Sequence, residues 1–178
     1  MSIKKWQIIA IAICLVLGTV LHFTYEFFNF NIIVGLISSV NESVWEHLKL
    51  LFFPMILISI IGYFVIGKKL CNYWFAQATG ILVSLTFVVV FFYTYTGIIG
   101  DNFAILDISS FIIGILLGEY AIYKILKNNF LCSMEVPAIM VLIIILLCFF
   151  IFTIYPPIIP LFEDPIYGTF GTEPQRIE

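Results

Sequence analysis

Long apolar runs separated by short polar breaks dominate the pattern along this chain. Five runs reach the length that a membrane span needs, which is roughly 20 mostly apolar residues. They lie at about residues 6–28, 41–66, 71–99, 103–126 and 136–155. The pattern predicts an all-α integral membrane protein, a bundle of about five transmembrane helices in residues 1–155. A proline-rich extracytoplasmic C-terminal tail over residues 156–178 follows it.

Composition supports this class of protein. Hydrophobic residues make up 62% of the chain, charged residues only 11%, and the mean hydropathy is +1.14, outside the range of soluble domains. A secretory signal peptide is the alternative for the first run. That run is longer than a typical signal core and no Ala-x-Ala-like site follows it, so we expect it to be retained. The lipid bilayer is the expected partner, and the scattered basic residues argue against nucleic acid.

Orientation follows from three lysine pairs that fall at alternate ends of the runs: Lys4 with Lys5, Lys68 with Lys69, and Lys124 with Lys127. All three lie on one side of a five-span arrangement, and that side should be cytoplasmic because basic loops stay inside. The chain is therefore predicted to be a multi-pass protein of the cell membrane, with its N-terminus in the cytoplasm and its C-terminus outside. Cys71 and Cys132 fall near the cytoplasmic side, where thiols stay reduced, so no disulfide is expected.

Polar residues gather where the first run ends and the second begins. These two ends meet because consecutive spans joined by a short loop are antiparallel, and each histidine lies roughly 9 Å from the end of its predicted helix. Imidazoles and carboxylates at one depth suit a divalent metal such as zinc, iron or manganese. The predicted metal ligands are His22, Glu26, Glu42, Glu46 and His47, with Lys49, Asp107 and Asp164 as candidate supporting residues.

The same residues also have structural explanations. Ser39 to Glu42 reads S-x-x-E, a capping box that would use Glu42 only to close a helix start. Glu46 and Lys49, three residues apart, would neutralise each other at the interface while the lysine extends outward to water. His22 would be a neutral histidine bonded to a helix carbonyl.

The tail after Tyr155 combines prolines, which forbid a helix, with large apolar residues that favour burial. We expect it to fold back over the outer mouth of the bundle and to bring Asp164 toward His22 and His47. The alternative is an interfacial plug without a chemical role.

Two segments carry a resemblance to a known family: Asn41-Glu-Ser-Val-Trp-Glu-His-Leu-Lys49 and Pro156-Pro-Ile-Ile-Pro-Leu-Phe-Glu-Asp-Pro165, the latter followed by Gly-Thr-Phe-Gly. With them the chain resembles a family of uncharacterised bacterial multi-pass membrane proteins. The resemblance implies the membrane class and assigns no catalytic residue.

Three functions remain open at this point. A small transporter would carry protons, metal ions or a polar solute on the polar cluster, and with five helices and no repeat it would work as a homo-oligomer. An accessory membrane protein would use the cluster only to hold two helices together. A metal-dependent hydrolase acting on a lipid-like substrate is the alternative, placed behind the others because no nucleophile elbow or complete metal motif is visible.

Overall fold

Six α-helices form in the part of the chain that the computed structural model describes, residues 1–128 and 131–172. They are α1 (Ile3–Phe27), the short α2 (Ile32–Gly35), α3 (Val44–Val65), α4 (Tyr73–Ile99), α5 (Ala104–Leu126) and α6 (Glu135–Ile154). All but α2 are long and apolar enough to cross a membrane. Over these residues the chain is all-α, as predicted, and the last part of the predicted tail, 173–178, lies outside them.

Helix α3 is the most enclosed of the long helices. It packs between α1 and α4, while α4 also contacts α5 and α6, and α1 closes the ring against α5. Phe52 and Leu51 at the middle of α3 are almost completely buried. We call the end of the bundle that carries residues 156–172 the tail end, and the end that carries Lys4, Lys5, Lys68 and Lys69 the lysine end.

Helices α4 and α5 pack closely because glycines face each other there. A Cβ added to Gly80 would come within 2.6 Å of the Gly118 carbonyl oxygen. Small residues let two helix backbones approach closely, which is a common way of packing helices in membranes. This contact holds α5 against α4.

One expectation about the lysine end was wrong. Cys71 and Cys132 are joined by a disulfide, although they are 61 residues apart in the sequence. The segments that precede α4 and α6 lie side by side because these helices pack together, and the Glu135 carboxylate accepts the Phe75 N–H at the same place. The pair therefore links the starts of two helices.

Candidate metal centre

Three polar side chains converge at the tail end: His22 from α1, His47 from α3 and Glu42 from the turn before α3. One ligand atom of each lies within 4.8 Å of the others. The His47 Nε2 atom is 3.5 Å from the Glu42 Oε2 atom, and the two imidazole centroids are 5.2 Å apart. The fold thus brings together three of the five residues that the sequence proposed as ligands.

The orientation of His47 is set by a backbone group. Its Nδ1 atom lies 2.9 Å from the Ser43 carbonyl oxygen. A carbonyl only accepts, so the Nδ1–H group donates to this oxygen, and the Nε2 atom faces Glu42. Ser43 was not predicted as part of the site, although its spacing of four residues from His47 places its carbonyl beneath the ring.

His22 has an unsatisfied nitrogen. Its Nδ1 atom is buried and has no hydrogen-bond partner among the described residues. A bond to a helix carbonyl was the structural explanation for His22. The Nδ1 atom does not make this bond. Buried polar atoms are nearly always paired, so this unpaired nitrogen is an unusual feature of the site.

Glu42 does not serve as a helix cap. The helix begins at Val44, and its cap is Ser43, whose Oγ atom accepts the Glu46 N–H at 3.3 Å. The capping box proposed for Ser39 to Glu42 was therefore wrong, and the Ser39 hydroxyl instead donates to the Asn41 carbonyl at 2.6 Å. The carboxylate of Glu42 is left to face His47.

Glu46 and Lys49 form a buried ion pair, with 2.5 Å between the Nζ and Oε2 atoms and side chains 2% and 0% exposed. Pairing was expected, but the lysine does not extend to water. Its ammonium also donates to the Gly35 carbonyl at 2.7 Å and to the Thr153 hydroxyl at 2.8 Å. Glu46 accepts the Val40 N–H at 3.0 Å, so it ties α3 to neighbouring segments.

The two remaining candidate ligands lie outside the group formed by His22, Glu42 and His47. Glu46 precedes His47 by one residue, which turns its side chain about 100° around the helix. Glu26 sits on the last turn of α1 and is exposed. Neither contributes an atom to the convergent set.

A cleft of about 410 Å³ adjoins the three ligand side chains. Helix α5 supplies another wall, and Asp107 lines the cleft from there. The carboxylate of Asp107 accepts a hydrogen bond from the Tyr95 hydroxyl of α4. The cleft therefore holds two carboxylates, Glu42 and Asp107, on different walls.

The tail folds back onto the start of α3, as expected. The Leu161 carbonyl accepts the Trp45 N–H at 3.0 Å, and the Asp164 carboxylate accepts the Glu42 N–H at 3.1 Å. The other oxygen of Asp164 accepts the N–H groups of Ile166 and Tyr167. Asp164 thus holds the backbone of Glu42. The tail brings Asp164 toward the histidines, as predicted, but its carboxylate contacts the Glu42 N–H and not the imidazoles.

Comparison with known proteins places these features in a family. A model described as "Family of unknown function (DUF6512)" matches residues 1–172, a range that includes every candidate ligand and the docked tail. No curated protein and no solved structure matches the chain.

Proposed function

This chain belongs to DUF6512, a family of unknown function, and we propose its activity from the site itself. His22, Glu42 and His47 bind one divalent metal ion, for which zinc is the best fit, and the metal activates water for a hydrolytic reaction. Two imidazoles and one carboxylate with an open fourth position are a common ligand set of catalytic zinc. The observation that carries the proposal is the convergence of these three side chains on an open cleft.

The distances support a zinc ion. Two ligands on a tetrahedral zinc with bonds of about 2.1 Å are about 3.4 Å apart. The His47 and Glu42 atoms are already separated by 3.5 Å. The full set lies within 4.8 Å, so it closes around an ion after side-chain shifts of about 1 Å. The Nε2 atom of His47 faces Glu42, and the Nδ1 atom of His22 has no partner among the described residues, so either nitrogen can turn to a metal ion without losing a backbone hydrogen bond.

The second carboxylate of the cleft completes the proposed chemistry. A bound metal ion makes its water a nucleophile at neutral pH and polarises a substrate carbonyl. Asp107, held by the Tyr95 hydroxyl, is the proposed base that takes the proton of that water. Ser43 is a positioning residue, because it fixes the tautomer of His47.

A hydrolase fits the cleft better than a transporter, because the helices close beneath it. A Cβ on Gly18 would lie 2.5 Å from the Leu50 carbonyl oxygen and 2.6 Å from the Phe111 ring. Three helices therefore pack closely at Gly18, which lies at the base of the cleft. Leu51 and Val88, which line the cleft from behind, are buried as well. The cleft is therefore closed on the side that faces the lysine end.

Metal analysis of the detergent-purified protein tests the proposal. We expect about one zinc per chain in the wild type after repletion. His22→Ala and His47→Ala should each lower zinc affinity by more than about 100-fold, because losing only a supporting residue already costs about 10- to 100-fold. Glu26→Gln is the matched control on the same face of α1, and it should retain full zinc binding.

Two results would reject the metal centre. One is a well-folded wild type that binds no zinc, iron or manganese after repletion, which would leave a structural polar cluster. The other is a folded double variant, His22→Ala with His47→Ala, that binds zinc as tightly as the wild type. Helix content from circular dichroism identifies variants that have lost the fold.

A further inference from the structure

We infer that the substrate of this cleft is an acyl lipid that enters sideways from the bilayer between α1 and α5, with its acyl carbonyl beside His22, Glu42 and His47. The inference rests on the proposed function, since the metal would act on that carbonyl. It adds the class of substrate and its route.

The cleft opens on the lipid-facing side of the bundle. Thr19 and Phe23 on α1, and Ala104 and Ile108 on α5, line the cleft and are also exposed. Phe23 is 61% exposed and Ile108 is 60% exposed. Each pair is four residues apart, so each forms the edge of its helix along one side. We call the space between these four residues the α1–α5 opening.

Helices α1 and α5 contact each other below the α1–α5 opening, and residues of both helices line the cleft at the opening itself. Toward the lysine end, the Gln7 side chain donates to the Glu119 carbonyl at 3.5 Å. Higher up, the Phe111 ring packs against Gly18. One turn above that contact, about 6 Å further along each helix, the walls carry His22 and Asp107 instead.

Depth in the bilayer selects the acyl carbonyl as the group that reaches the ligands. Helix α1 has 25 residues and is about 37 Å long, against about 30 Å for the hydrocarbon core. His22 precedes the end of α1 by five residues, or about 7.5 Å. A centred helix therefore places His22 a few ångströms inside the hydrocarbon edge, so the acyl carbonyls, which lie just outside that edge, are closer to His22 than the phosphates are.

The lining of the cleft matches an amphiphile in that orientation. The ligand side chains and Asp107 occupy the upper level, while Leu50, Val88 and Phe111 form an apolar lower level. A small polar solute would leave the apolar level unfilled, whereas the first part of an acyl chain fills it and continues through the α1–α5 opening into the bilayer.

The reaction is hydrolysis and consumes one water. With a metal ion held by His22, Glu42 and His47, the oxygen of the water would form a bond to the acyl carbon, and the bond between that carbon and the alcohol oxygen would break. Asp107 takes the water proton and returns it to the departing oxygen. The products are a fatty acid and the lipid alcohol, and nothing is oxidised or reduced.

Photolabelling in vesicles tests the inference without requiring turnover. The zinc-loaded protein is reconstituted in vesicles of phosphatidylcholine with a small fraction of a phosphatidylcholine that carries a diazirine in the first third of one acyl chain. After illumination, mass spectrometry quantifies labels on Val88 and Phe111. Thr19→Trp and Ile108→Trp fill the α1–α5 opening, and Val20→Trp and Ile105→Trp are controls at exposed positions on the same helices.

We expect Val88 and Phe111 to be labelled in the wild type and in both controls. Labelling should drop at least fivefold in Thr19→Trp and Ile108→Trp, while zinc content stays unchanged. Unlabelled cleft residues in the wild type, or equal labelling in the filled variants, would overturn the lipid inference and leave the metal centre intact. Absence of zinc with cleft labelling retained would instead reject the proposed function alone.

Discussion

Removing the ammonium of Lys49 should destabilise the protein strongly. Lys49→Met leaves the Glu46 carboxylate buried without its cation, and it also removes the donors to Gly35 and Thr153. Breaking a buried pair from one side costs about 3–5 kcal/mol, because the remaining charge is uncompensated. Bonds of a charged donor are worth about 1.5–3 kcal/mol each, so two of them are consistent with this range.

The assay is thermal unfolding of the detergent-purified protein, followed by circular dichroism. For a chain of this size the expected loss corresponds to a decrease of about 6–20 °C in Tm. Lys68→Met is the matched control, because Lys68 is exposed at the lysine end and should tolerate the same substitution. A Lys49→Met variant whose Tm falls no further than that of Lys68→Met would refute the reasoning.

A double variant separates the cost of an unpaired charge from the value of the pair itself. Glu46→Leu with Lys49→Met removes both charges and fills the same space with apolar groups. Replacements of this kind are often neutral or stabilising, so the double variant should be more stable than Lys49→Met alone. If the double variant is the less stable of the two, the bonds to the surrounding backbone matter more than the charge.

Three further predictions concern the tail, the helix packing and the orientation. Asp164→Ala removes the acceptor of three N–H groups. Protease should therefore cleave the tail of the purified variant several times faster than that of the wild type. An unchanged cleavage rate would show that Asp164 does not hold the tail in place. Gly80→Ala should destabilise the bundle by about 1–3 kcal/mol through overpacking, which would appear as a lower Tm. Gly97→Ala on the same helix is the control, because its added methyl group meets nothing within 4 Å. Equal stability of the two variants would contradict the close packing at Gly80. In sealed right-side-out vesicles, impermeant reductant followed by impermeant maleimide should leave Cys71 and Cys132 unlabelled until the vesicles are opened, and labelling of intact vesicles would reverse the orientation predicted from the lysines.

Properties that depend on neighbouring residues could be predicted from the sequence. Helix α1 runs from Ile3 to Phe27, close to the predicted 6–28, because length and hydropathy are local. The approach of His22 to His47 also follows from counting residues in two antiparallel neighbours, since each residue adds about 1.5 Å. Glu42 lies beside His47 for the same reason.

Contacts between distant segments could not be predicted in the same way. Glu46 and Lys49 both form hydrogen bonds with Thr153, which lies more than 100 residues away on α6. Predicting the disulfide between Cys71 and Cys132 would have required the knowledge that α4 and α6 are neighbours. Apolar periodicity carries no such information, because helices that face lipid and helices that face each other are equally apolar.

The docked tail has a consequence for the order of events during synthesis. Helix α3 emerges early, but the N–H groups of Glu42 and Trp45 receive their acceptors from Asp164 and Leu161, more than 110 positions later. A nascent chain that stops before residue 164 has His22, Glu42 and His47 but lacks the carboxylate that accepts the Glu42 N–H. We therefore expect the site to mature only once translation is nearly complete, so that a partly made protein presents no working centre to the membrane.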